Sequence, residues 1–306
     1  MASDVTRILM LHRIRNEAPA AFGLPSCYRM RGTALTVPEL LHVVEGAGPV
    51  VPLEAVERAL ARGDALPRGS VLTFDDGYRE HLDVVAPLLA ARGVSATFYV
   101  ATGLHGDASR VAAVDAWYWL LDHAEERQAR VPLPQGGEHR GRIDTHEGKA
   151  AWVGGEPKAR FLAATHDQQA VMLEALSAAV GCRLPHDLAA RLYLRPSEWS
   201  ALAGLGMRVG AHSVHHPRLT QVDEDALRAE VQGSVGAVRQ LGSPVAFAYP
   251  DGAYDERVAR EVSRAEASSS VTCEPGWVRQ GCDLMRLPRV FVSADAWNFG
   301  STGRSA

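Results

Sequence analysis

Ser70-Val-Leu-Thr-Phe-Asp-Asp-Gly77 is a short apolar run that ends abruptly in two carboxylates and a glycine. A run of this length bounded by polar residues suits a buried strand. From Arg79 to Arg92 apolar residues recur at Leu82, Val85, Leu88 and Leu89, the period of one helix face, and Gly93 supplies a stop. Ala96-Thr-Phe-Tyr-Val100 is a second short apolar run. Strand, helix and strand make a βαβ unit, which implies a parallel sheet. Asp75 and Asp76 then fall at the carboxyl end of a parallel strand, where α/β barrels build their sites.

Working outward, Arg7 to Leu11 predicts a buried strand that closes at His12. Thr36-Val-Pro-Glu39 matches a capping box with proline in the first turn, and a further helix fits Leu53 to Arg62. Beyond Leu194 the alternation resumes: helix at Pro196 to Leu205, strand at Met207 to His212, helix at Glu224 to Leu241, then strands at Val245 to Tyr249, around Ser269 to Cys273 and around Arg289 to Val292. About seven parallel strands among helices predict a barrel-like α/β fold. Strand signals fade between about Gly103 and Leu194, where Val111 to Ala129 and Gln168 to Val180 read as helices around a polar stretch, Pro132 to Gly155, that is expected to be mobile. The expected organisation is a single barrel domain over residues 1–306 with 105–190 as a mostly helical insertion.

Composition sets limits on function. The 306 residues are 46% hydrophobic and 22% charged, ordinary values for a globular chain. A net charge of -4 offers no basic footprint for nucleic acid or for an anionic membrane surface. Cys27, Cys182, Cys273 and Cys282 lie far apart, without the C-x-x-C spacing of a cysteine metal site. The first apolar run is only Ile8 to Leu11, after Asp4, shorter than the ~7–15 residues of a signal peptide core. No segment approaches the ~18 apolar residues of a membrane span. A cytoplasmic protein is expected.

The chemistry concentrates at strand ends. Adjacent anions such as Asp75 and Asp76 repel, and are tolerated where a metal neutralises one and leaves the other as a base; read alone, they are equally a solvated Asp-Gly turn. His212-Ser-Val-His-His-Pro217 follows another strand, and the four-residue spacing would bring His212 and His216 to one side of a helical turn. Twelve histidines in 306 residues give about one such pair by chance in every two chains. A carboxylate and two imidazoles at strand ends nevertheless make an open three-ligand set. His215, between them, would point elsewhere. In Phe247-Ala-Tyr-Pro-Asp-Gly252, Pro250 forces Tyr249 into an extended conformation, and the following backbone N–H groups could face an oxyanion or simply form a turn. His12 is at the mouth of the same barrel, or is a core histidine.

These motifs resemble those of the polysaccharide deacetylase family, whose fold is a distorted (β/α) barrel. Thr73-Phe-Asp-Asp-Gly77 is similar to its first motif and His212-Ser-Val-His-His-Pro217 to its second, about 135 residues apart, and the resemblance covers roughly residues 5–104 and 190–292. By this resemblance Asp76, His212 and His216 hold a divalent metal ion, most commonly Zn2+ with Co2+, Ni2+ or Mn2+ as substitutes, and Asp75 is the base. Phe247 to Gly252 is similar to the third motif, in which the backbone N–H of Asp251 binds the oxyanion; Tyr249, Pro250 and Tyr78 are expected beside the substrate. Ala246 stands where the family has an arginine that orients the base, and Arg286 or Arg289 could replace it. The late Leu-x-His motif carrying the general acid is absent, but Ile8-Leu-Met-Leu-His12 looks like that motif moved to the N-terminus, an order found in poly-N-acetylglucosamine deacetylases. His12 is then the acid.

The resemblance implies a metal-dependent hydrolase that removes an acyl group, most simply acetyl, from an amine of a small-molecule or oligosaccharide-like substrate; an intracellular amino-sugar or biosynthetic intermediate is expected. Two alternatives stay open: a formamide, cyclic imide or ureide as the bond cleaved, and a binding protein that has lost turnover. Trp117, Tyr118 and Trp119 could form a substrate platform or pack into a core.

Overall fold

The computed structural model describes residues 5–16, 21–106, 110–134, 136–242 and 244–293. Asp4 lies outside the described residues. The chain divides into two compact units, one of Met1–Arg15, Leu35–His105 and Leu192–Ala306, the other of Asn16–Ala34 and Gly106–Arg191. Residues 16–34, which sequence patterning leaves with the barrel, thus go with the second.

The first unit is built on seven parallel strands: β1 (Val5–Leu11), β2 (Gly69–Phe74), β3 (Thr97–Val100), β4 (Arg208–Ala211), β5 (Ala246–Ala248), β6 (Ser269–Pro275) and β7 (Leu287–Phe291). Each pairs with the next, and the ring closes because β1 pairs in parallel with both β7 and β2. A short strand, Val278–Arg279, adds antiparallel to the start of β1. The barrel-like fold expected from the strand count, and the distorted (β/α) barrel implied by the family resemblance, are therefore what the chain forms. Its strands are buried on both faces, as parallel strands between helices and a barrel interior must be. Leu9, Leu72, Phe98, Val209 and Phe247 belong to a core shared with the helices, whereas Ile8, Val71, Tyr99, Ala246, Val271 and Leu287 form a separate cluster. The period of two that separates these sets also decides which side chains at the strand ends turn inward.

The helices follow their local signals. Thr36 and Glu39 form the expected capping box on Val37–Gly46. The single helix expected over Arg79 to Arg92 is instead a π-type turn, His81–Val85, running into a short α-helix, Ala86–Ala90. Pro87 carries no N–H, and the Ala86 N–H reaches back five residues to the His81 carbonyl.

The second unit has its own core, in which Trp117, Trp152, Phe161 and Leu176 are buried. Its helices include Ala113–Asp122, His146–Gly154, Glu156–Ala163 and His166–Val180. The helix expected to reach Ala129 stops at Asp122, and Gln128–Pro132 pairs antiparallel with Glu138–Arg142. The stretch expected as a polar middle thus carries the hairpin strand Glu138–Arg142 and the helix His146–Gly154. Ala129 and Val131 are buried between exposed Gln128 and Arg130, a strand alternation too short to stand out beside the preceding helix. Trp117 and Tyr118 are core residues, which removes them as a substrate platform.

Candidate active site

Period two places Val71, Thr73 and Asp75 on one face of β2, and Leu287 and Arg289 on one face of β7. Asp75 and Arg289 meet there. The Arg289 guanidinium donates to both carboxylate oxygens, Nη1 to Oδ1 at 2.8 Å and Nη2 to Oδ2 at 2.7 Å, with both side chains almost wholly buried. Its remaining donors are used as well, Nε to the Thr272 carbonyl at 2.8 Å and Nη1 to the Thr73 hydroxyl at 3.2 Å. Burial alone would raise the Asp75 carboxyl; Arg289 overrides it and holds the group below its ordinary value. Of the two arginines offered in place of one at Ala246, Arg289 is the one that reaches Asp75, while Arg286 pairs with Glu256 at the surface.

Asp76, one residue on, turns the opposite way. Its backbone is left-handed, φ +76°, and Gly77 follows at φ +74°. Oδ1 of Asp76 lies 3.4 Å from Nε2 of His212 and 3.4 Å from Nε2 of His216. His212 Nδ1 stands 2.7 Å from the Ala248 carbonyl, which can only accept, so Nδ1 carries a proton and Nε2 is the ring nitrogen turned to Asp76. Burial would raise the Asp76 carboxyl, yet His212 and His216 hold it well below the usual range, so it stands as an anion between two imidazoles. In a tetrahedral zinc site with bonds of about 2.0–2.2 Å, ligand atoms are separated by roughly 3.3–3.6 Å. Asp76, His212 and His216 fit such an ion, with one position left open.

The loop that carries the histidines is not the helical turn expected from their spacing. Ser213 and His216 both have left-handed backbone, φ +61° and +58°, and the Ser213 hydroxyl accepts the His216 N–H at 3.0 Å. Of six non-glycine residues with positive φ among the described residues, four are Asp76, Ser213, His216 and Asp251. Such backbone costs about 1–3 kcal/mol per residue and clusters at functional sites.

His12 follows β1 level with Asp75, whose N–H donates to the Leu11 carbonyl at 3.0 Å. Nδ1 of His12 is buried without a hydrogen-bond partner among the described residues, and burial pushes its imidazolium below the ordinary value against the pull of Asp76 and Asp75. Asp251 sits in the turn Pro250–Gly252 at φ +53°, its carboxylate 3.6 Å from Nε of Arg218. Tyr249 and Tyr78, expected beside the substrate, are instead committed inside the protein. Tyr249 is fully buried and its hydroxyl donates to the Met285 carbonyl, and Tyr78 stacks on Tyr193. Pro250 is buried too, and sets the extended Tyr249 backbone at φ -74° and ψ 121°.

Two residues at the site escape sequence reasoning. Buried His81 approaches the His12 carbonyl through Nε2 at 2.8 Å, and Glu230 accepts hydrogen bonds from the His212–His216 loop. Neither belongs to a motif, and each lies far along the chain from what it touches.

A family model described as polysaccharide deacetylase matches residues 63–129 and 157–269, more than half of the chain. Among solved structures, this chain resembles the Streptococcus pyogenes deacetylase PplD in complex with acetate, at 20% identity and a TM-score of 0.59 over 95% of this chain and 93% of that one. It also resembles IcaB from Ammonifex degensii, at 16% identity and a TM-score of 0.56 over 96% and 94%. The de-N-acetylase from Aggregatibacter actinomycetemcomitans aligns at 11% identity and a TM-score of 0.56 over 95% and 96%. No curated protein matches the chain.

Proposed function

Because this chain belongs to the polysaccharide deacetylase family, we propose that it is a metal-dependent hydrolase that removes an acetyl group from the amine of an amino-sugar-containing substrate. The observation that carries the reading is the pairing of opposites at the end of β2: Asp75 locked by the Arg289 fork, and its neighbour Asp76 facing two imidazole Nε2 atoms. Asp76, His212 and His216 would hold the divalent cation, zinc being the ion we propose. Bound there, such an ion lowers the pKa of a water and polarises an acyl oxygen.

The side chains supply the rest. Asp75, ionised and held in one orientation, takes a proton from the attacking water as its oxygen bonds to the acyl carbon. The Asp251 backbone N–H faces the oxyanion that develops. When the C–N bond breaks, the leaving nitrogen takes a proton, which His12 gives. The lowered imidazolium is a stronger acid than an ordinary one. The products are acetate and a free amine.

The test is acetate release from short oligomers of N-acetylglucosamine by zinc-loaded protein, beside Asp75→Asn. We expect the variant to lose about 10²–10⁴-fold in kcat while still binding one zinc per chain. Equal turnover by the variant would remove Asp75 as the base, and a parent chain that takes up no divalent metal would remove the mechanism.

A further inference from the structure

The loop Ser213 to His216 presents one metal ligand, His216, from a backbone that is left-handed at both ends. Such a loop leaves successive backbone N–H groups pointing to one side, and each needs an acceptor. A single carboxylate answers them. Oε2 of Glu230, on the helix Glu224–Arg239, accepts from the Val214 N–H at 2.8 Å and from the His215 N–H at 2.8 Å. Its other oxygen, Oε1, lies 2.7 Å from Nδ1 of His215, the histidine between the two ligands.

Glu230 is itself held firmly. Leu227, Val231 and Ser234 on the same helix are buried, which fixes that helix against the barrel. One turn on, Gly233 lets the helix approach closely, since a Cβ there would stand 3.2 Å from Cγ2 of Val214. The loop is gripped from the far side as well: Gly103 N–H donates to the Val214 carbonyl at 2.8 Å, and Thr102 N–H to that of Ser213 at 3.0 Å. A Cβ on Gly103 would come within 2.7 Å of Val214.

We propose that Glu230 is a positioning residue for metal binding: by accepting both loop N–H groups and engaging the His215 ring, it keeps the strained loop in the one conformation that aims His216 Nε2 at Asp76. It touches neither substrate nor metal and acts through the loop. The inference rests on the metal reading above and adds to it a residue from a separate helix. It also gives His215 a task as the side arm of the clamp.

Zinc alone is titrated into the metal-free full chain, into Glu230→Ala and into Glu230→Gln, with the metal-free unfolding midpoint and far-UV circular dichroism recorded for each. Residues that orient metal ligands typically matter by about 10–100-fold in affinity. We expect that loss in Glu230→Ala, a smaller loss in Glu230→Gln, which keeps one acceptor oxygen, and similar metal-free midpoints in all three. Parent-like zinc affinity in both variants overturns the positioning role and leaves the metal site standing. Absence of zinc binding by the parent overturns both. Should Glu230→Ala fail to fold, Glu230→Gln decides alone, with parent-like affinity counting against the role and weakened affinity at an unchanged midpoint supporting it.

Discussion

Asp75 is buried and has one strong partner, so its charge depends on Arg289. Removing one member of a buried ion pair leaves the other uncompensated, at a cost of about 3–5 kcal/mol. Arg289→Met should lower unfolding free energy by that order in urea titrations, a loss far above that of a surface arginine. Arg289→Lys retains charge but replaces a planar fork by a point donor. With the lowering influence weakened and burial still raising the carboxyl, Asp75 takes up its proton at higher pH. The acid limb of kcat/KM against pH should therefore move upward in Arg289→Lys, and an unmoved limb would mean that the titrating group is not Asp75.

At the scale of elements, the turn after β2 depends on Gly77. Its φ is +74°, and a Cβ would stand 3.1 Å from the Cα and Cβ of Val100. Gly77→Ala adds a strained backbone to a tight contact, and about 1–3 kcal/mol of destabilisation is expected, read from thermal unfolding of the metal-free chain. The segment after β1 is tied to the start of the π-type turn by Arg13 and Glu80. Burial would raise the Glu80 carboxyl, but Arg13 brings it below the ordinary value of 4.5. A depressed folded-state pKa contributes stability that is present above the unfolded value and lost as pH falls through the folded one. Unfolding free energy of the parent should thus fall more steeply below the ordinary glutamate range than that of Glu80→Gln. Parallel curves would show that the pair contributes nothing to acid stability.

For the molecule as a whole, the two units have separate cores and separate polar centres. Lys149 and Lys158 are the only lysines among the 32 basic residues, and both are buried in the second unit. Lys149 pairs with Asp122 at 2.6 Å and donates to the Pro25 carbonyl at 3.1 Å, while Lys158 contacts the Tyr118 hydroxyl. An amine-acylating reagent should modify neither lysine in the folded chain and both after unfolding, as read by peptide mass spectrometry. Acylation of Lys149 in the folded chain would contradict a closed core in that unit.

The sequence by itself determined the barrel, the strand ends that bear Asp75, Asp76, His212 and His12, and the likeness to one family, because these follow from local period and from motifs a few residues long. It also narrowed the partner of Asp75 to two arginines. Only the tertiary structure could choose Arg289, since the choice turns on which face of the last strand points inward and on β1 pairing with both β2 and β7 to close the ring. The same holds for the loop geometry of His212 to His216, for Glu230 some 15 residues beyond His215, and for the burial of Tyr78 and Tyr249. The hairpin of the second unit was missed because two buried residues in alternation are too few to outweigh an adjoining helix. Contacts between residues distant along the chain are set by register and packing, and no local pattern encodes them.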